Sequence, residues 1–91
     1  MSTSDSIVVE FFGIPRHRAG LAELKLPVGT VAETLTAVEA HCPGLVGLRD
    51  RDGRPAPHFL LSLNGRHFIT DPAESLRPGD HLLVLSADAG G

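Results

Sequence analysis

Ninety-one residues make one small domain, with room for a single modest core and none for a cofactor domain beside a substrate domain. Apolar residues make up 42% and charged residues 21%, a globular balance without the signature of disorder, and a net charge of −3 has the wrong sign for general nucleic-acid binding. One cysteine, Cys42, excludes an internal disulfide framework and a CxxC metal site; no apolar run is long enough to span a bilayer, and Met1–Asp5 lacks the features of a secretory leader, so the expected compartment is the cytoplasm.

Residues 1–5 read as a short polar lead that frays. Ile7 to Phe12 is a β-rich run in which Glu10 sets the phase: Val8, Glu10 and Phe12 share one face and Ile7, Val9 and Phe11 the other, buried one. Gly13 to Gly20, with Pro15 inside, reads as a broad connecting loop to a second strand over Leu21 to Leu26, paired antiparallel with the first. Pro27-Val-Gly29 breaks that strand. Thr30 and Glu33 then form the T-x-x-E pattern that opens a helix, and Val31, Leu35, Val38 and Cys42 recur at helical spacing as one apolar stripe that ends at Pro43-Gly44.

The segment 44–58 carries Gly47, Gly53, Pro55 and Pro57 among three arginines and two aspartates, and is expected to be an exposed insert with a tight turn at Asp52-Gly53. Phe59 to Leu63 is a third strand closed by Asn64-Gly65, with Arg66 to Ile69 as a short hairpin partner. Arg77-Pro-Gly-Asp80 is a turn, in which Asp80 makes a capping hydrogen bond, and it feeds a last strand over His81 to Leu85. One main amphipathic helix can cover one sheet face only, so the fold class is α+β, with a mixed sheet whose first and last strands run parallel at its centre. On the last strand Leu83 and Leu85 then face away from the helix, and Leu82 and Val84 toward it.

Residues 86–91 form a tail of small residues ending in Ala89-Gly90-Gly91. Glycines carry no side chain, so such an arm can enter a narrow channel and present its carboxylate to a reacting centre. Val9-Glu-Phe-Phe-Gly13, the capped helix from Thr30, Leu63-Asn-Gly65, Leu76-x-x-Gly79-Asp80 and the closing Gly90-Gly91 together resemble the MoaD/ThiS family of sulfur carriers, whose fold is the ubiquitin-like β-grasp. The resemblance runs from Ile7 onward, apart from the insert around Arg49 to Pro57, and leans toward the MoaD branch, the small subunit of molybdopterin synthase. It implies a reagent and not a stand-alone catalyst. An E1-like adenylating enzyme (MoeB/ThiF type) would activate the Gly91 carboxylate, and sulfur from a donor protein would convert it to a thiocarboxylate.

The same resemblance implies that a MoaE-type large synthase subunit or another sulfur-accepting enzyme takes the tail. ATP and magnesium would be used by the activating partner, with no cofactor bound by this chain. Phe12 and Leu85 match contact positions of that family; Leu83 shares their face, and His67 falls where the family has an apolar contact residue. Sulfur delivery to cysteine, thiamine or tRNA thiolation stays open, as does conjugation of Gly91 to other proteins, or a non-catalytic ubiquitin-like interaction module. The five histidines show no metal-ligand spacing. Cys42 reads as a small buried hydrophobe, with a persulfide role as the alternative. Arg16, Arg18 and Arg66 read as solvated charges, with steering of an acidic partner as the alternative.

Overall fold

The computed structural model describes residues 5–87. In chain order it contains strand β1 (Ser6–Phe11), helix α1 (Gly13–Ala19), β2 (Glu23–Pro27), helix α2 (Val31–His41), a 3-10 turn at Pro43–Leu45, β3 (Phe59–Leu63), β4 (His67–Phe68) and β5 (His81–Ser86). The five strands form one mixed sheet in the order β2-β1-β5-β3-β4. β1 and β5 lie parallel at its centre, with Val9 opposite Leu82 and Phe11 opposite Val84. β2 is antiparallel to β1, and β3 is antiparallel to both β5 and β4. This is the α+β mixed sheet expected from the alternation and the capped helix, in the ubiquitin-like β-grasp arrangement that the resemblance implies.

The core lies between the sheet and α2. Ile7, Val9 and Phe11 from β1 and Leu82 and Val84 from β5 meet Val31, Leu35 and Val38 of the helix stripe, all of them buried. Each such side chain contributes about 1.5–3 kcal/mol of burial free energy. The start of α2 is held by the capping box: the Glu33 N–H donates to Thr30 Oγ1 (3.2 Å), and the Thr30 N–H donates back to Glu33 Oε1 (2.9 Å). Two sequence motifs meet at one end of the sheet. Asn64 donates through Nδ2 to Asp80 Oδ1 (3.1 Å) and accepts from the His81 N–H at Oδ1 (2.8 Å), while Asp80 Oδ2 accepts from the Arg77 N–H (2.8 Å). Asn64 holds φ 55, a left-handed position that asparagine tolerates better than most residues, so the Asn-Gly and Gly-Asp turns form one stitched unit.

Two expectations are corrected. Gly13 to Gly20 is not an open loop: α1 forms there, with Pro15 in its first turn, three basic residues in its last, and Gly20 as a left-handed cap (φ 78) donating its N–H to Arg16 O (3.1 Å). Over seven residues with Ile14 exposed and Pro15 buried, no apolar period develops for the sequence to display.

Segment 44–58 is likewise not an exposed insert throughout. Leu45 and Leu48 are fully buried in the core. Glu39 Oε2 accepts the N–H groups of Gly47 (3.0 Å) and Arg49 (3.2 Å), and Arg49 Nη1 donates to Thr36 Oγ1 (3.1 Å), which ties the segment along α2. Its tip is a closed turn in which Asp50 Oδ1 accepts from the Asp52 and Arg54 N–H groups. Gly53 packs there so closely that a Cβ would meet Ala32 Cβ at 2.8 Å and Pro72 Cβ at 3.2 Å.

Candidate functional site

With α1 and α2 on one side, the other sheet face is left open. Register assigns its occupants. Leu85 lies opposite Leu60, and Phe12, one residue past the Phe11–Val84 pair, continues that row with its N–H donating to Val84 O (3.1 Å). The next row runs Glu10, Leu83, Ser62, Phe68. Phe12 is 37% exposed, Leu60 38% and Phe68 63%, while Leu83 and Leu85 are half-buried.

The face is therefore divided. Its apolar half lies at the end where β5 leaves the sheet. Its polar half carries Lys25 opposite Val8, Glu23 opposite Glu10, and His81, whose Nε2 sits 2.7 Å from Glu10 Oε1. Contiguous apolar side chains on an otherwise wet sheet face mark an interaction surface more than scattered exposure does.

The outward phase of Phe12, Leu83 and Leu85 is as the alternation predicts. His67 is a correction. It pairs with Leu63, a core-side residue, and its neighbour two positions on, Ile69, is buried, so His67 belongs to the helix side of the sheet and is exposed there. Phe68 occupies the open face instead. Local pattern does not mark Leu60 and Phe68: in Phe59-Leu-Leu-Ser-Leu63 the polar Ser62 is the one phase marker, and a two-residue strand gives no alternation to count.

β5 ends beside this apolar half. Past Ser86, the Ala87 N–H donates to His58 O (2.8 Å), the last described hydrogen bond of the chain. Ala89, Gly90 and Gly91 lie outside the described residues.

Other candidates resolve into structure. Arg18, read as a solvated charge, donates from Nε to Gly44 O (2.9 Å) and from Nη2 to Val46 O (3.4 Å), and its guanidinium lies 5.5 Å from the Phe59 ring centroid, fastening α1 to the 3-10 turn. Arg16 and Arg66 are exposed. Cys42 is buried, and burial pushes its thiol above the ordinary value, so it carries less thiolate at neutral pH than a free cysteine. Among the described residues no three of His, Cys, Asp and Glu gather as metal ligands, and no helix is long and apolar enough to cross a membrane.

No family model matches the sequence, and no curated protein matches it. Solved structures do. SAMP1 from Haloferax volcanii superposes with a TM-score of 0.79 at 24% identity, covering 94% of this chain and 99% of that one. The putative molybdopterin converting factor, subunit 1, from Pyrococcus furiosus gives 0.71 at 21% identity, covering 91% and 98%. The HVO 2177 protein, also from Haloferax volcanii, gives 0.76 at 32% identity, covering 94% and 86%. This chain belongs to the family of the HVO 2177 protein and has the ubiquitin-like β-grasp fold. In a ubiquitin-like body of this kind the open sheet face and the exit of the last strand lie together, so whatever docks on Phe12, Leu60 and Leu85 also meets the start of the tail.

Proposed function

We propose that this protein is a sulfur carrier. Its Gly91 carboxylate is adenylated by an E1-like enzyme (MoeB/ThiF type), and sulfur from a donor protein then displaces AMP to leave a thiocarboxylate on Gly91. The observation that carries this reading is the end of β5, at Ser86, beside the apolar half of the open face, where Leu85 stands between Phe12 and Leu60. A partner seated there holds the body while the side-chain-free Gly90-Gly91 enters its active site. A carboxylate is a poor electrophile until it becomes a mixed anhydride, and ATP and magnesium held by the partner supply that activation. The resulting thiocarboxylate is a good sulfur nucleophile at neutral pH.

The recipient we favour is molybdopterin synthesis, through a MoaE-type large subunit, supported by the fold shared with the Pyrococcus converting-factor subunit. A second reading is a protein modifier joined through Gly91 to amines of other proteins; the fold shared with SAMP1, a small archaeal modifier protein, favours it. Both readings share the adenylation step.

The test is transfer of sulfur with purified activating enzyme, ATP and a sulfur donor, read by fragment mass spectrometry that places sulfur on Gly91. Deleting Gly91, or adding one residue after it, is expected to abolish transfer and leave the thermal midpoint within about 1 °C, because neither change alters any of the core side chains described above. Undiminished transfer by either variant would overturn the carrier reading.

A further inference from the structure

β2 is an edge strand, and its ladder with β1 fixes which of its backbone groups are left over. The Phe11 N–H donates to Ala22 O (2.9 Å) and the Val28 N–H to Asp5 O (3.2 Å), so those two pairs are of the hydrogen-bonded kind. Such pairs alternate along an antiparallel ladder, which makes Ile7–Leu26 and Val9–Leu24 hydrogen-bonded and Val8–Lys25 and Glu10–Glu23 not. The N–H and C=O groups of Glu23 and Lys25 therefore point away from the sheet, and among the described residues no other segment takes them. Pro27 has the next outward position, where its missing N–H costs the ladder nothing. α2 does not roof this edge: a groove of about 290 Å³, lined by Pro27, Val28, Gly29, Glu33, Thr34 and Ala37, opens between the end of β2 and the helix. The opposite edge, β4, is two residues long and turns only the backbone groups of Phe68 outward.

A lysine on an edge ordinarily discourages strand addition. Lys25, however, stands two residues from Glu23 on the same sheet face, and both side chains are exposed. Glu23 faces Glu10, a like charge whose own ion pair is with His81, and Lys25 faces Val8. Among the described residues neither Glu23 nor Lys25 has a partner of opposite charge. A second β2 laid antiparallel against this edge opposes outward residues to outward residues. A two-fold centred on Lys25 sets lysine against lysine, and one centred on Glu23 sets glutamate against glutamate. Centred on Leu24, it sets Glu23 of each copy against Lys25 of the other, which gives two opposite-charge pairs at once.

We infer that β2 is a self-complementary edge through which two copies of this chain join non-covalently into one continuous sheet, held in the register that opposes Glu23 to Lys25 in both directions. Each Glu23–Lys25 pair exchanges both of its backbone hydrogen bonds, and the charges meet on the open face. Leu24 of one copy lies opposite Leu24 of the other on the helix side. The two-fold is normal to the sheet, so the β5 strands of the two copies end at opposite ends of the dimer. Each apolar half-face, with Phe12, Leu85 and Leu60, stays uncovered, and the dimer presents two of them. The inference is independent of the carrier reading. A contact made by one short strand falls below about 1,200 Å², so the dimer is weak and depends on concentration.

The experiment is analytical ultracentrifugation of the full chain from about 10 μM to 1 mM, beside amide hydrogen exchange at the two ends of that range. The expected result is a monomer–dimer equilibrium that weakens with added salt, and amides of Glu23 and Lys25 that gain protection as concentration rises. Lys25→Glu and Glu23→Lys each set like charges opposite one another in both pairs, and should each weaken association about tenfold or more. The double variant Glu23→Lys with Lys25→Glu exchanges the charges and restores their complementarity, so it should return to within about threefold of the parent. Thermal unfolding of the single variants checks that the monomer itself is intact. A monomer at every concentration would overturn the inference. So would a dimer indifferent to Lys25→Glu, a double variant that stays dissociated, or protection that rises at Phe68 of β4 instead.

Discussion

Cys42 shows how one residue's environment decides its chemistry. It closes the apolar stripe of α2, its backbone N–H donates to Val38 O (2.8 Å), and it is buried. Burial disfavours the thiolate, so the folded thiol titrates above its unfolded value of about 8.5. The folded state therefore binds more protons than the unfolded state once the pH exceeds that value. The stability this contributes is complete below about pH 8.5 and is lost as the pH rises through the folded pKa. In denaturant titrations from pH 7 to 10, Cys42→Ala should be less stable than the parent by about 1–2 kcal/mol at pH 7 from the lost sulfur packing. The gap should narrow as the pH rises. A gap constant with pH would mean that the thiol titrates normally. The persulfide alternative fits this residue poorly, because a sulfur nucleophile needs thiolate and access.

At the scale of elements, the two corrections have one cause. A short element that packs by one or two side chains leaves no periodic trace. α1 is fastened by buried Pro15 and by Arg18, and its signals were the early proline, the closing Gly20 and the basic last turn. Segment 44–58 looks solvated because arginine, aspartate, glycine and proline dominate it, yet Leu45 and Leu48 stand in the core and the Asp50 turn closes on its own backbone. Leu48→Ala should therefore cost about 2–5 kcal/mol in equilibrium unfolding. A residue in a solvated loop would cost less than about 0.5 kcal/mol, and a value that small would return the segment to the surface. By contrast α2 was legible to its first residue, since Thr30 and Glu33 cap it reciprocally and the stripe at 31, 35, 38 and 42 is the face that packs.

At the scale of the whole molecule, covering only one side of the sheet leaves Phe12, Leu60, Leu83, Leu85 and Phe68 as an apolar half-face beside the exit of β5. Phe12→Ala and Leu85→Ala should each weaken binding to the activating enzyme proposed above about tenfold or more, as expected when an apolar anchor is removed from an interface. Stability should fall much less for Phe12→Ala, because part of that ring is already in water in the free protein. Calorimetric titration beside thermal unfolding separates the two effects. Unchanged binding with a large loss of stability would make these residues part of the core. His67→Ala, on the other side of the sheet, should leave binding unaltered.

Strand phase, helix capping and the fold class were determined by the sequence itself, because they depend on neighbours two to four residues apart: Glu10 marks the wet side of β1, and Thr30 finds Glu33 within one turn. The parallel pairing of β1 with β5 was legible because both strands are strongly apolar and the capped helix α2 crosses between them. Only the tertiary structure decided which face His67 and Phe68 take, that Leu45 and Leu48 complete the core, and that Asn64 and Asp80 hold one another. Each of these depends on a contact between segments far apart in the chain, where backbone register, not local pattern, sets the partner.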